Sequence, residues 1–191
     1  MTDWNLDTHR LHVLDDGLSE ARRRAGDAAA CRAGCFGCCL GPFPITLLDA
    51  DRLCRGLAQI RATAPHQAER IERRAVEAMT ALREGFPGGW DTGLLDGSRD
   101  GELFSRRFEM VPCPALDLEQ GICELYEHRP VACRTYGFAV TLDDEPLTPC
   151  PLNYAGWPPE RIESVRTAIA TPSGVSLPPG QTVVAAALRP R

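Results

Sequence analysis

The sequence predicts a mostly α fold, a small helical domain whose irregular loops are cross-linked by cysteine-ligated metal. Three observations predict it. Three stretches before residue 85 place apolar residues at helical spacing. The segments between and after them are broken by Gly and Pro too often for regular structure. Nine cysteines stand in a chain of 191 residues with only three Trp, three Tyr and six Phe, so an aromatic core is thin and thiols supply what bulk burial does not. The length suits one globular domain. At 43% apolar and 25% charged residues the chain is too hydrophobic for intrinsic disorder.

The first helix is predicted over 7–30, with Leu11, Leu14, Leu18, Ala21 and Ala25 as its buried stripe and Glu20 and Arg24 paired on the wet side. The run Arg22-Arg23-Arg24 reads as a solvated face. Residues 31–44, CRAGCFGCCLGPFP, hold three glycines and two prolines and form a loop. A second helix follows over 46–63, with Thr46 as N-cap and Asp49 standing in for the capping-box Glu. A third, over 65–84, starts with Pro65 in its first turn and is stopped by Gly85 and Pro87.

Residues 85–102 hold six glycines and one proline and read as an extended loop, and 103–111 as a short strand. Glu119-Gln120-Gly121 marks a turn between two short extended pieces. Pro130 opens a short helix carrying Cys133. The acidic run Asp143-Asp144-Glu145 reads as a turn. Pro158-Pro159 introduces a helix over 159–170, with Ile162, Val165 and Ile169 facing inward. The expected organisation is a single domain over 1–170, its motif core at 31–150, and a Pro-rich tail at 171–191.

A net charge of −5 argues against a nucleic-acid partner bound through a broad basic surface. The first sixteen residues carry four acidic side chains and lack the apolar core of a secretory signal. No apolar run approaches the roughly 18 residues of a membrane helix. A cytoplasmic location is therefore expected, and in a reducing compartment clustered cysteines read as metal ligands before disulfides.

Cys31, Cys35, Cys38 and Cys39 form C-x3-C-x2-C-C, and Cys113, Cys123, Cys133 and Cys150 follow. Cys54 falls in the second helix with Leu47, Ala50 and Leu57 and reads as a buried thiol behaving as a small hydrophobe. Eight cysteines remain, and four thiolates make a closed zinc site or the ligand set of an iron–sulfur cluster. In an extended segment Cys38 and Cys39 would project to opposite sides, which suits ligands of two different metal atoms. Arg129 and Arg134 flank Cys133 and could donate to a thiolate centre from its surroundings, with His128 as a weaker candidate. Tyr126 and Tyr136 are placed as covers against water.

The sequence CRAGCFGCC, followed by CPALDLEQGICELYEHRPVACRTYGF, resembles the YkgJ-type CxxxCxxCC cysteine-cluster family, a zinc- or iron-chelating domain. The matching positions are Cys31, Cys35, Cys38, Cys39, Cys113, Leu116, Gly121, Cys123, Tyr126, Arg129, Pro130, Cys133, Arg134 and Cys150. The flagellin lysine N-methylase FliB resembles the same family in one cysteine domain, which binds an iron–sulfur cluster. The resemblance implies metal binding and leaves methylation unsupported.

Several thiols in one loop, completed by distant cysteines, place an iron–sulfur cluster, written as 4Fe–4S, ahead of zinc. Only Cys35 and Cys38 have the C-x2-C form of a zinc knuckle. Copper(I) comes third. The expected function is metal binding with a redox or electron-transfer role. The alternatives are a zinc-binding structural or metal-handling protein and a cluster-dependent enzyme, whose nearest polar groups would be Glu124, Tyr126 and Arg134.

Overall fold

Residues 4–97 and 101–190 are described in a computed structural model. Residues 98–100 of the predicted 85–102 loop, and Arg191 at the end of the predicted tail, lie outside them. In chain order the elements are α1 (Trp4–Ala25), β1 (Ile45–Thr46), α2 (Leu47–Thr63), α3 (Pro65–Leu82), β2 (Gly88–Gly89), β3 (Leu94–Leu95), α4 (Gly101–Arg107), β4 (Leu116–Asp117), β5 (Ile122–Cys123), α5 (Val131–Thr135), β6 (Val140–Leu142), β7 (Glu145–Pro146), α6 (Pro159–Ser164), β8 (Thr167–Ile169), β9 (Gln181–Thr182) and α7 (Val184–Leu188). The fold is mostly α with irregular loops and small sheets. Among the described residues no helix is long and apolar enough to cross a membrane.

The chain divides into two compact units, Met1–Cys35 with Val131–Ser176, and Phe36–Pro130 with Leu177–Arg191. In the first unit α1 buries Leu14, Leu18, Ala21 and Ala25 against Phe138, Ala139, Val140, Tyr154 and Ile169, while Leu11 of the predicted stripe is partly buried. The helix ends five residues earlier than predicted because Gly26 turns the backbone to φ 54. Gly17 faces β8, and a Cβ there would lie 2.7 Å from Ile169.

Glu20 pairs with Arg23 and not with Arg24. The Arg24 guanidinium instead donates to the carbonyls of Arg166 and Ser164. Arg22 likewise donates to the Cys31 carbonyl, so two arginines of the predicted solvated face hold neighbouring backbone.

The predicted helix over 159–170 stops at Ser164. Its last residues form β8, which pairs parallel to β6 with Val140 opposite Thr167 and Leu142 opposite Ile169. Thr167 and Ile169 are buried and Ala168 is exposed, a period of two that the β-branched residues favour. β6 and β7 pair through Asp143 and Asp144, both at positive φ, the backbone of a tight hairpin.

In the second unit α2 and α3 form as predicted. The Thr46 hydroxyl accepts from the Asp49 N–H at 3.1 Å, and the Asp49 carboxylate accepts from the Thr46 N–H at 3.3 Å, completing the capping box. Asp49 also holds a buried ion pair with Arg52 at 2.7 Å.

The stretch 103–111, expected as a strand, begins within α4. Phe104 and Phe108 are one helical turn apart, which brings both rings to the same side, 5.3 Å from each other, with Phe86 6.0 Å from Phe104. Residues 181–188 of the Pro-rich stretch belong to this unit as β9 and α7. They bury Val183, Val184, Ala185 and Leu188, and β9 joins the sheet β1-β9-β3-β2.

Candidate metal centre

All nine cysteines are present as thiols. The units split the eight candidate ligands evenly, with Cys31, Cys35, Cys133 and Cys150 in the first and Cys38, Cys39, Cys113 and Cys123 in the second.

The second set is gathered by backbone pairing. Gly37–Cys39 forms a 3-10 turn, and the next residue, Leu40, makes an antiparallel bridge to Pro112. The Cys113 N–H donates to the Cys39 carbonyl at 2.8 Å, so Cys39 and Cys113 are neighbours. The Leu116 N–H then donates to the Cys113 carbonyl, and Leu116 pairs with Cys123 across the β4–β5 hairpin. That hairpin turns where predicted. Asp117 Oδ1 accepts from the N–H groups of Glu119 and Gln120, and Gly121 takes φ 66.

The turn corrects one premise. Cys38 and Cys39 are not on extended backbone but within the 3-10 turn, and their thiols act on each other. That mutual interaction draws the Cys38 thiol down to about 6, while it and burial push Cys39 up. Burial, with Cys123 nearby, pushes the Cys113 thiol up to about 12, and Arg74 pulls against it. Burial also raises Cys123, opposed by the Leu125 N–H and by Arg129. Each of the four thiols therefore lies in the field of at least one other.

Arg74 and Arg70 both contact Glu124, a buried carboxylate the hairpin carries next to Cys123. Arg129 lies 3.7 Å above the centre of the Tyr126 ring and donates to the Tyr126 carbonyl. Three guanidiniums thus lie in this neighbourhood, with the carboxylates of Glu124 and Glu127 beside Cys123. Tyr126, at 56% exposure, serves as a platform for Arg129. Glu124, Tyr126 and His128 line a cleft beside Cys123 together with Gly56, against which the His128 ring packs too closely to admit a Cβ.

The first set is arranged around Gly137 and Asn153. Asn153 is buried; its amide donates to Cys31 Sγ at 3.4 Å and to the Gly137 carbonyl, and its Oδ1 accepts from the Ala30 N–H at 2.7 Å. The Cys150 N–H donates to the same Gly137 carbonyl at 3.2 Å. Gly137 has φ 125, and a Cβ there would come within 3.1 Å of Cys31 Sγ. The Arg32–Cys35 turn, closed by a 3.0 Å bond, follows Cys31 directly. Cys133 rides on α5, which packs on α1 through a pair of 2.7–2.8 Å contacts from Arg134 to the Asp15 carboxylate. Tyr136 is 46% exposed.

Sequence reasoning passed over Asn153 and Arg74. Asn153 had a legible signal, three residues after Cys150 where its N–H closes a turn on the Cys150 carbonyl. Arg74 had none, being one of several arginines on an amphipathic helix.

Cys54 is corrected as well. It is exposed, because Leu53 and Leu57 take the inward positions of α2, and its thiol donates to the Ala187 carbonyl at 3.3 Å. Arg134 belongs with Asp15 in the first unit, whereas Glu124 and Tyr126 lie in the second.

Among the described residues no three Cys, His, Asp or Glu side chains stand close enough together to hold one ion. Each set is a neighbourhood of donors, not a closed cage. The neighbourhood in the second unit nonetheless fits a thiolate-bound metal. Its donors are soft, and the Nε of Arg74, within reach of Cys113 electrostatically, is buried with no hydrogen-bond partner. An ionised sulfur is the acceptor such a donor lacks.

The comparisons agree with that chemistry. No curated protein and no solved structure matches the chain. The model of the CxxCxxCC family, described as a "putative zinc- or iron-chelating domain", matches residues 30–151. The chain is a member of that family, and metal binding is what its cysteines share with it.

Proposed function

We propose that the chain is an iron–sulfur protein that uses Cys31, Cys35, Cys38, Cys39, Cys113, Cys123, Cys133 and Cys150 as ligands and serves in redox chemistry or electron transfer. The observation that carries this reading is the setting of the second set. Four thiols sit near Arg70, Arg74 and Arg129, the first two of which pair with Glu124. Four thiolates around a 2+ core carry about −2 overall, and nearby guanidiniums offset that charge without supplying ligands. A cluster bound by thiols changes charge by one electron at a time, and fixed positive groups set how readily it does so.

Zinc is the second reading, and the family description includes it. The Cys35/Cys38 spacing that most resembles a zinc knuckle straddles the boundary between the two units, which favours iron–sulfur ligation over a local knuckle. Chain purified anaerobically from a cell supplied with iron should be brown, bleach with dithionite or air, and contain iron and acid-labile sulfide in equal amounts. Colourless protein with stoichiometric zinc and no sulfide would establish the zinc reading instead.

A further inference from the structure

We infer that the eight cysteines form two separate four-thiol centres, Cys31 with Cys35, Cys133 and Cys150, and Cys38 with Cys39, Cys113 and Cys123. This rests on the metal-binding reading and adds to it which sulfurs share a metal. Sequence order suggests another partition, in which the four cysteines of the 31–39 loop make one site and the four downstream cysteines make the other. The backbone ties of that loop favour a different partition. The first unit runs to Cys35, and within it the Cys31 thiol touches Gly137 and Asn153 and its carbonyl is held by Arg22. From Phe36 the chain is tied to the second, through the bridge of Leu40 to Pro112 and the bond from Cys113 to Cys39.

The downstream cysteines divide in the same way. Cys113 and Cys123 are joined through Leu116, one by a turn and the other by strand pairing. Cys150 is bonded to Gly137, four residues beyond Cys133. The result is nested: the outer cysteines of the chain make one centre and the inner cysteines the other. Each set then has four thiols, which is what one tetrahedral ion or one four-iron cluster takes. Ligands close in sequence but belonging to different centres are a known arrangement, since two-cluster ferredoxins exchange the last cysteine of each motif. Cys54 falls in neither set and is bonded elsewhere.

The test uses the full wild-type chain, loaded anaerobically with iron and sulfide or, separately, with zinc alone. Metal is withdrawn in steps with a chelator while newly exposed thiols are alkylated and mapped by mass spectrometry. The expected result is that Cys31, Cys35, Cys133 and Cys150 become reactive together, that Cys38, Cys39, Cys113 and Cys123 become reactive together, and that Cys54 is labelled from the start. Cys31→Ser and Cys113→Ser should each halve the bound metal and unprotect only their own set. Joint labelling of Cys31, Cys35, Cys38 and Cys39, or a single step that releases all eight, overturns the division. The zinc-loaded arm separates this inference from the reading it rests on: two zinc ions per chain with the same two labelling groups keeps the division and removes the iron–sulfur assignment. Equal labelling of all nine thiols in both loadings removes both.

Discussion

The two units hold the same number of candidate ligands in unlike surroundings. In the second, the Cys38–Cys39 pair neighbours two hairpin-side cysteines, and Arg74 acts on Cys113 and Arg129 on Cys123. In the first, the Asn153 amide donates to Cys31, Arg22 donates to the Cys31 carbonyl, and Arg134 pairs with Asp15. A reduced cluster carries one more negative charge than an oxidised one. Positive groups nearby therefore stabilise the reduced form and raise the potential, while a neutral donor does so less. The difference teaches that four thiols alone do not define a centre. If each set holds a cluster as proposed, the charge placed around it would tune its potential.

Core truncation is the strongest way to break the comparison. Leu14 is fully buried in the first unit, and Leu14→Ala should cost about 2–5 kcal/mol. Denaturant titration should show that loss together with early alkylation of Cys31 and Cys150, ahead of Cys113 and Cys123. Simultaneous exposure of both pairs would mean that the units do not behave separately.

Asn153→Ala comes next. It removes a buried side chain whose three hydrogen bonds hold Ala30, Cys31 and Gly137, an expected loss of about 1–3 kcal/mol. Metal analysis should show depletion confined to the first set.

Arg129→Gln sharpens the contrast instead of breaking it. Stacking on an exposed tyrosine contributes roughly 0.5–1 kcal/mol, so stability should change little. A spectroelectrochemical titration should show one of two potentials moving to a more negative value while the other stays in place. If both move, the charge does not act locally. Cys54→Ser is the smallest change. The residue is exposed on α2, and stability should stay within about 0.5 kcal/mol, with metal content unaltered. Loss of metal at this position would place Cys54 among the ligands.

The sequence made the helices legible where one rule acted alone. Leu14, Leu18, Ala21 and Ala25 keep helical spacing, Thr46 and Asp49 are close enough to cap each other, and Pro65 suits a first turn. It misled where two periods overlap. Thr167, Ala168 and Ile169 extend the helical rhythm of Ile162 and Val165, yet a parallel partner at β6 makes alternation the better arrangement. Phe104 and Phe108 gave the opposite error, since their spacing of four was a helical signal within a mixed segment.

At the site, the ligand types were visible and their grouping was not. Cys35 and Cys38 are three residues apart, and what separates them is the pairing of Cys31 with Asn153, 122 residues distant, and of Cys39 with Cys113, 74 residues distant. Only long-range contacts carry that information. Cys54 failed for a local reason, because a shift of one residue on a helix rotates the side chain by about 100°, and Leu53 is the larger apolar group to bury.

The most direct measurement is the metal and acid-labile sulfide content of the full chain after anaerobic purification, read alongside its absorption spectrum. Two four-iron clusters predict about eight iron and eight sulfide per chain, with colour lost on reduction. A colourless chain without metal or sulfide, whose thiols all alkylate at the rate of Cys54, would contradict the account.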